Sequence, residues 1–305
     1  MQIYYYQRRD RQPNFGDELN TWLWPQLLPG YFDDDPNSIF IGTGTLLNNL
    51  FPERVSAAEK VVIFSTGAGY EQPLQVIPPH WQICCVRGPL SAQQLGLPSS
   101  KAIADGGILV RLLVQPTTEK QYPYSFMPHI HHADFAQSAW QRICQAAGIC
   151  YVDPRSPVEE ILQTINQTEV LLAEAMHGAI AADALRVPWI PIVTSPRILP
   201  FKWQDWCASM GLTYRPQTLP PLVDYPRWGR GLRSGGQSAR HWQRSLVQSP
   251  VAIAQYGLSP NEAQFAKIIS QIAETAAPCL SSDAIITERT EQLKARLSAI
   301  PNPNG

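Results

Sequence analysis

A histidine between a buried strand and a helix is the residue of this sequence best placed for chemistry. An apolar run, Val170 to Ala173, precedes His177-Gly178, and a stretch of small residues then predicts a tightly packed helix that ends before Pro188. Open α/β sheets bind ligands at the carboxyl ends of their strands, and helix amino ends favour anions. His177 is therefore either an acid–base group in such a site or a plain helix cap.

Other charged side chains also follow predicted strands. Arg87 ends one strand, Asp105-Gly106-Gly107 ends another, and Arg197 and Lys202 stand just past the strand 189–193. Each of these residues could be an ordinary surface charge. Because all of them fall on the carboxyl side of strands, we expect them to share a cleft that handles anions.

Several other chemistries are excluded by the motifs that the sequence lacks. It has no phosphate-binding loop ending in Gly-Lys-Ser/Thr, and Gly42-Thr43-Gly44 is not followed by the third glycine of a dinucleotide fingerprint. The cluster His129, His131 and His132 has no second group at metal-ligand spacing, so we expect neither a metal nor a cofactor. No segment carries the motif of a nucleic-acid-binding module.

Composition sets further limits. The chain has 305 residues, 44% of them hydrophobic, and a net charge of −1, so it has enough apolar residues for two cores and is no polycation. The six cysteines show no disulfide spacing, which predicts free thiols in a reducing compartment. The first residues do not resemble a secretory leader, and no window predicts a membrane span, so we expect a cytoplasmic protein.

Alternating strands and helices must position these side chains, and they predict an α/β protein with mostly parallel sheets. We place a first domain at 1–120, a second at 121–280, and a helix over 283–299 followed by a tail within 281–305. The predicted strands are Ile3–Tyr6, Ser38–Gly42, Val61–Ser65, Ile83–Val86, Ala102–Ile103, Ser125–Ile130, Ile149–Val152, 170–173 and 189–193. A helix is predicted over Phe135–Ala147, and Ser156-Pro157-Val158-Glu159 predicts a capping box with proline at the first position of another helix.

A segment rich in arginine and tryptophan, 225–245, lies within the second predicted domain. It holds five arginines with Trp228 and Trp242 between them. It is either a solvated surface loop or a rim that attracts anionic groups such as lipid pyrophosphate or membrane phosphate. If the acceptor is lipid-linked, this is the segment expected near the inner face of the plasma membrane.

An ordered set of motifs resembles the polysaccharide pyruvyltransferases, most closely the ketal pyruvyltransferases of bacterial exopolysaccharide assembly. The resemblance covers roughly 1–215. Its motifs are Asn14-Phe15-Gly16-Asp17-Glu18-Leu19, Ile41-Gly42-Thr43-Gly44-Thr45-Leu46, Val86-Arg87-Gly88-Pro89-Leu90-Ser91, Ala104-Asp105-Gly106-Gly107 and Glu174-Ala175-Met176-His177-Gly178-Ala179-Ile180. The first and last are the specific ones.

The resemblance implies a fold and a reaction. The fold is that of two facing Rossmann-like domains, as in GT-B glycosyltransferases, with the site in the cleft between them. Phosphoenolpyruvate is the implied donor and a sugar or lipid-linked oligosaccharide the implied acceptor. Many relatives have an arginine two residues before the histidine where this chain has Ala175, so another cation must supply that charge; Arg87, Arg197 and Lys202 are the candidates.

Roles follow from the needs of a ketal-forming reaction. We expect His177 to be the principal acid–base residue, since imidazole titrates near neutral pH, although its place at a helix start disfavours the imidazolium form. Asp17 either contacts the acceptor, acts as a base, or simply caps the helix over Leu19–Leu27. Glu174 either orients the ring of His177 or faces outward. The remaining residues expected to bind substrate are Asn14, Gly16, Gly44, Arg87, Asp105, Arg197 and Lys202.

Two other functions stay open at this level. One is a nucleotide-sugar glycosyltransferase of GT-B architecture, which would need a diphosphate cradle and a slot for the base. The other is a non-catalytic glycan-binding or assembly protein, which Ala175 in place of arginine would permit. His177, Arg87 and Asp105 favour an enzyme over the second alternative.

Overall fold

A computed structural model describes residues 1–194, 198–219, 222 and 261–301. The first half contains six short strands. They are β1 (Gln2–Ile3), β2 (Ser38–Ile41), β3 (Thr45–Leu47), β4 (Lys60–Phe64), β5 (Gly67–Ala68) and β6 (Trp81–Cys85). Four of them form a parallel sheet in the order β1-β2-β4-β6, and β3 pairs with β5 in a small parallel ladder.

The central strands of this first sheet, β2 and β4, are apolar after their first residues, Ser38 and Lys60, because both faces of the sheet are covered. Alternate side chains of a strand point to opposite faces. Ile41 and Ile63 accordingly join one core cluster, whereas Phe40 and Phe64 join another. This double burial is typical of parallel sheets with helices on both sides.

The second half contains a five-stranded parallel sheet in the order β8-β7-β9-β10-β11. Its strands are β7 (Tyr122–Met127), β8 (Cys150–Tyr151), β9 (Thr168–Ala173), β10 (Trp189–Val193) and β11 (Gln217–Thr218). The chain winds outward in opposite directions from β7 and β9, so a topological switch point lies between these two strands. Ligand sites in such sheets form at the carboxyl ends of the strands beside the switch point.

Helices connect the strands. They are α1 (Phe15–Leu27), α2 (Phe51–Arg54), α3 (Pro89–Gln94), α4 (Ile130–Ala147), α5 (Val158–Asn166), α6 (Met176–Ala184), α7 (Pro200–Ser209), α8 (Glu262–Thr275) and α9 (Asp283–Ser298), with 3₁₀ turns at Ser99–Lys101 and Gly106–Leu112. Among the described helices, none is both long and apolar enough to cross a bilayer.

The two halves pack against each other extensively. α1 and the 3₁₀ turn Gly106–Leu112 contact α6, and α1 also contacts α5. Two later helices also pack on the first half. α7 packs on α3, and α9 packs on β6 and on the 3₁₀ turn Gly106–Leu112. One core cluster therefore includes side chains from both halves, among them Trp24, Ile180 and Trp189.

The predicted α/β class with parallel sheets is confirmed, while the two-domain arrangement and its boundaries stay predictions. Three local predictions are wrong. The predicted strand Ala102–Ile103 is only an isolated bridge between Ala102 and Val86. α5 has Pro157 at its N-cap without a side-chain hydrogen bond, so the predicted capping box is absent. Asp17 does not cap α1, because Asn14 holds that position. Segment 225–245 lies outside the described residues.

Candidate active site

His177 of the second half inserts against the first half. It lies in the first turn of α6, just past the carboxyl end of β9, and its side chain is 16% exposed. The ring packs against the backbone of Gly16, where an added Cβ would overlap Nδ1 of the imidazole. Glycine is therefore required at position 16 to admit the ring.

Asp105 faces the other edge of this imidazole. Its Oδ1 accepts a hydrogen bond from the N–H of Gly107 at 2.9 Å and thereby caps the 3₁₀ turn. Its Oδ2 lies 3.7 Å from Nε2 of His177, and neither atom has a hydrogen-bond partner within the described chain. Both atoms are buried, so the pair is poised to accept a third group between or beside them.

Two buried hydroxyl groups add to the unpaired polar atoms of His177 and Asp105. The Oγ of Ser65 and the Oγ1 of Thr66 also lack partners among the described residues. Both residues lie in the loop after β4, where Ser65 packs on Gly106, next to Asp105, and Thr66 packs on Gly44. Buried polar atoms are rarely left unpaired, and several together indicate a place for a polar ligand or water.

Asp17 supplies a second carboxyl group. It lies in the first turn of α1, where the side-chain amide of Asn14 donates a hydrogen bond to its Oδ2 at 2.7 Å. Burial raises the pKa of Asp17 to about 6, against the opposing effects of that bond and of the charges of His177 and Lys202. A carboxyl group with such a pKa can exchange protons near neutral pH.

Lys202 brings a cation to the same place. It projects from α7 and is 8% exposed, and its Nζ donates a hydrogen bond to the hydroxyl of Tyr70 at 3.0 Å. The ammonium also lies 5.5 Å from the centroid of the Tyr70 ring. Because its charge is felt by Asp17, Lys202 belongs to the surroundings of the carboxyl group.

We expected Arg87 to face a ligand, but its guanidinium group is paired inside the protein. Its side chain is fully buried, and Nε donates to Asp205 of α7 at 2.9 Å. Further N–H groups donate to Gly44 O at 3.2 Å, Thr45 Oγ1 at 2.7 Å and Ala68 O at 3.0 Å. Four of the five guanidinium donors are thus used inside the protein, and they fix the loops after β2 and β4.

Glu174 also points away from the predicted partner. Its carboxylate accepts hydrogen bonds from the N–H of His129 at 2.9 Å and from Thr194 N–H at 3.0 Å, and it contacts Nδ1 of His132 at 2.6 Å. Burial alone would raise its pKa, but the charge and hydrogen bond of His132, together with the hydrogen bonds from Thr194 and from the N–H of His129, outweigh burial and lower it. Glu174 therefore ties together the loops at the switch point, and these bonds do not include His177.

The structure thus brings together five predicted site residues, which are His177, Asp17, Asn14, Gly16 and Asp105, and Lys202 joins them through its charge on Asp17. Gly44 instead contacts Arg87 and Thr66. It places Arg87 and Glu174 behind the site, and Arg197 lies outside the described residues. Sequence reasoning missed Ser65 and Thr66. Their signal was available, because two hydroxyl residues directly follow the apolar strand β4. Within the described ranges, no group of His, Cys, Asp and Glu side chains could hold a metal ion.

Comparison with known proteins adds two findings. Residues 5–196 match the family model for polysaccharide pyruvyl transferase. The whole chain is 36% identical over 321 aligned positions to the succinoglycan biosynthesis protein ExoV of Rhizobium meliloti (strain 1021), with 98% of each chain covered.

Proposed function

Because this chain belongs to the polysaccharide pyruvyl transferase family, and so is a polysaccharide pyruvyltransferase, we propose that phosphoenolpyruvate is its donor and that it builds a ketal on two hydroxyls of one sugar. The observation that supports this proposal is the group of buried polar atoms around His177 that have no hydrogen-bond partner among the described residues. There an imidazole, two carboxyl groups and an ammonium meet at the carboxyl ends of parallel strands.

The donor needs positive charge for two acidic groups. Lys202 supplies one cation, and the first turn of α6 adds backbone N–H groups without a side-chain cap. The hydroxyls of Ser65 and Thr66 are available as further hydrogen-bond donors. Arg197 is proposed as a second cation. Arg87 supports the donor indirectly, by holding the loop of Gly44 through the bonds described above.

The first step is a proton transfer to carbon. Imidazolium at His177 gives its proton to the methylene of phosphoenolpyruvate, which leaves an oxocarbenium-like centre at the neighbouring carbon. One sugar hydroxyl attacks that centre, and the carboxylate of Asp17 takes the hydroxyl proton. A carboxyl group with a pKa of about 6 is suited to this exchange, because it is ionised at neutral pH yet still basic.

The second step releases phosphate. The bond from carbon to the phosphate oxygen breaks with its electron pair, and the proton held by Asp17 neutralises the departing phosphate. The second hydroxyl then attacks the same carbon, and its proton returns to His177. Both residues end in their starting states, and the products are the ketal and one inorganic phosphate.

The relative from Rhizobium meliloti supports a role in exopolysaccharide synthesis, because its name assigns it to the biosynthesis of succinoglycan. We place the reaction in the cytoplasm, where phosphoenolpyruvate is available. A lipid-linked acceptor would bring the protein to the inner face of the plasma membrane.

A ligand-dependent melting experiment tests the donor. A ligand that binds the folded protein alone raises its melting temperature, by an amount that grows with concentration. Phosphoenolpyruvate should do so, and UDP or GDP should not. Phosphate release from phosphoenolpyruvate should then require a glycan acceptor. Stabilisation by a nucleoside diphosphate instead would contradict the proposal and favour glycosyl transfer.

A further inference from the structure

A polar cleft opens next to Asp17, in the loop that connects β1 with α1. Its volume is about 290 Å³, close to the lower end of small-molecule sites at roughly 300–1,000 Å³. Besides Asp17 and Asn14, its lining includes Tyr5, Tyr6, Gln12 and Glu18. The cleft thus begins at a residue of the reacting centre and leads outward from it.

The side chains of this cleft are of the types that recognise a neutral sugar. The ring of Tyr6 is 48% exposed and offers a flat apolar surface. Gln12 and Glu18 make no side-chain hydrogen bonds within the described chain, and they supply an amide and a carboxylate for neighbouring hydroxyls. Tyr5 lies close enough to Asp17 and Glu18 for both carboxylates to act on its hydroxyl.

Contacts with the second half of the chain fix the walls of the cleft. Arg8, in its wall, donates at 2.6 Å both to Asp10 and to Asp134 of α4. The backbone N–H of Phe15 donates to the carbonyl of Pro154 at 2.8 Å. Because two carboxylates already neutralise Arg8, its charge is not available for an anionic ligand. The second cation of the lining, Arg11, shares the cleft with the carboxyl groups of Asp17 and Glu18. A preformed, nearly neutral cleft binds a neutral ligand at a low ordering cost.

The geometry points to this cleft as the acceptor site, in which the terminal hexose of the glycan lies with one ring face on Tyr6 and its reacting hydroxyls toward Asp17. This inference rests on the proposed pyruvyl transfer. It assigns the acceptor to the loop between β1 and α1, and it leaves the donor on the far side of Asp17, with His177 and Lys202.

Steady-state kinetics test the assignment, using the glycan that supports phosphate release by the native enzyme. Tyr6→Ala should raise KM for that glycan roughly 10-fold, in keeping with the loss of an aromatic contact and its buried area. Tyr6→Phe should stay within about 2-fold of the native enzyme, because the ring face is kept. Gln12→Ala should raise the same KM by a smaller factor, while KM for phosphoenolpyruvate stays unchanged in all three variants.

Gln145→Ala is the matched control, because Gln145 lies exposed on α4 and outside the cleft. It should leave both KM values unchanged. An unchanged glycan KM in Tyr6→Ala and Gln12→Ala, or a rise in the phosphoenolpyruvate KM instead, would overturn the acceptor assignment. Absence of phosphoenolpyruvate-dependent phosphate release in the native enzyme would instead refute the proposed function, so the two failures are distinct.

Discussion

Two clusters of buried charge lie close together in this protein, and they differ in how well their atoms are paired. The paired cluster consists of Arg87, Asp205 and Ser91. Asp205 accepts from Arg87 Nε at 2.9 Å, from Ser91 N–H at 2.9 Å and from Ser91 Oγ at 2.5 Å. The open cluster consists of His177, Asp105 and Asp17, and there the Nε2 of His177 and the Oδ2 of Asp105 have no hydrogen-bond partner within the described residues.

The difference separates structural charge from charge that is available for chemistry. A buried ion pair with satisfied hydrogen bonds fixes geometry, but its groups are not free to bind a ligand. Buried atoms left unpaired are costly, and that cost is recovered when a ligand supplies the missing partner. Arg87 and His177 both follow strands in the sequence, yet the structure pairs the guanidinium of Arg87 and leaves Nε2 of His177 without a partner among the described residues.

The largest expected effect on activity comes from removing the imidazole of His177 from the open cluster. His177→Ala should lower kcat by about 10²–10⁴-fold, the usual contribution of a positioned acid or base. Phosphate release in the presence of acceptor measures this loss, and circular dichroism checks that the variant is folded. Near-native turnover would remove His177 from the acid–base role.

Removal of one member of the paired cluster should affect stability instead. Asp205→Asn leaves a buried guanidinium without its counter-charge and should cost about 3–5 kcal/mol of unfolding free energy, measured in urea. The matched control is Glu262→Gln, because its ion pair with Arg142 is exposed on the surface and should be worth at most about 1 kcal/mol. If Asp205→Asn kept native stability and lost activity, the two clusters would not differ in the way described.

The smallest expected effect concerns the pH dependence of Asp17. Its pKa of about 6 in the folded state exceeds the ordinary value of 3.8, so the folded state binds its proton more tightly than the unfolded state. Asp17 therefore destabilises the protein progressively as pH rises from about 4 to 6. Asp17→Asn should be more stable than the native protein at pH 7, by about 3 kcal/mol, and nearly equal to it in stability at pH 3.5.

The same titration should appear in the kinetics. In the native enzyme kcat/KM should fall as pH drops through about 6, because the base becomes protonated. That acidic limb should be absent from the residual activity of Asp17→Asn. A stability difference between the two proteins that does not change from pH 4 to 7 would contradict the raised pKa.

The sequence predicted what depends on local pattern and failed where distant packing decides. The apolar runs of β4 and β10 predicted buried parallel strands, and the position of His177 after β9 indicated the candidate site, whose role stays a prediction. Arg87 carried the same local signal, but its partner Asp205 lies 118 residues later and is brought there only by the docking of α7 on α3.

Glu174 was misplaced for a related reason. Its nearness to His177 along the chain suggested contact, yet β9 ends between two loops, and the carboxylate turns toward His132 and Thr194 instead. The capping box failed for a local reason, since Pro157 takes the cap position itself. Spacing along the chain does not show which of several possible partners a side chain will contact.

The contact between Gly16 and His177 has a consequence for the synthesis of the protein on the ribosome. The backbone of Gly16 leaves the ribosome long before the imidazole that packs on it, so a partly made chain cannot form this contact. The contact forms only after the second half of the chain has been made and has packed against the first.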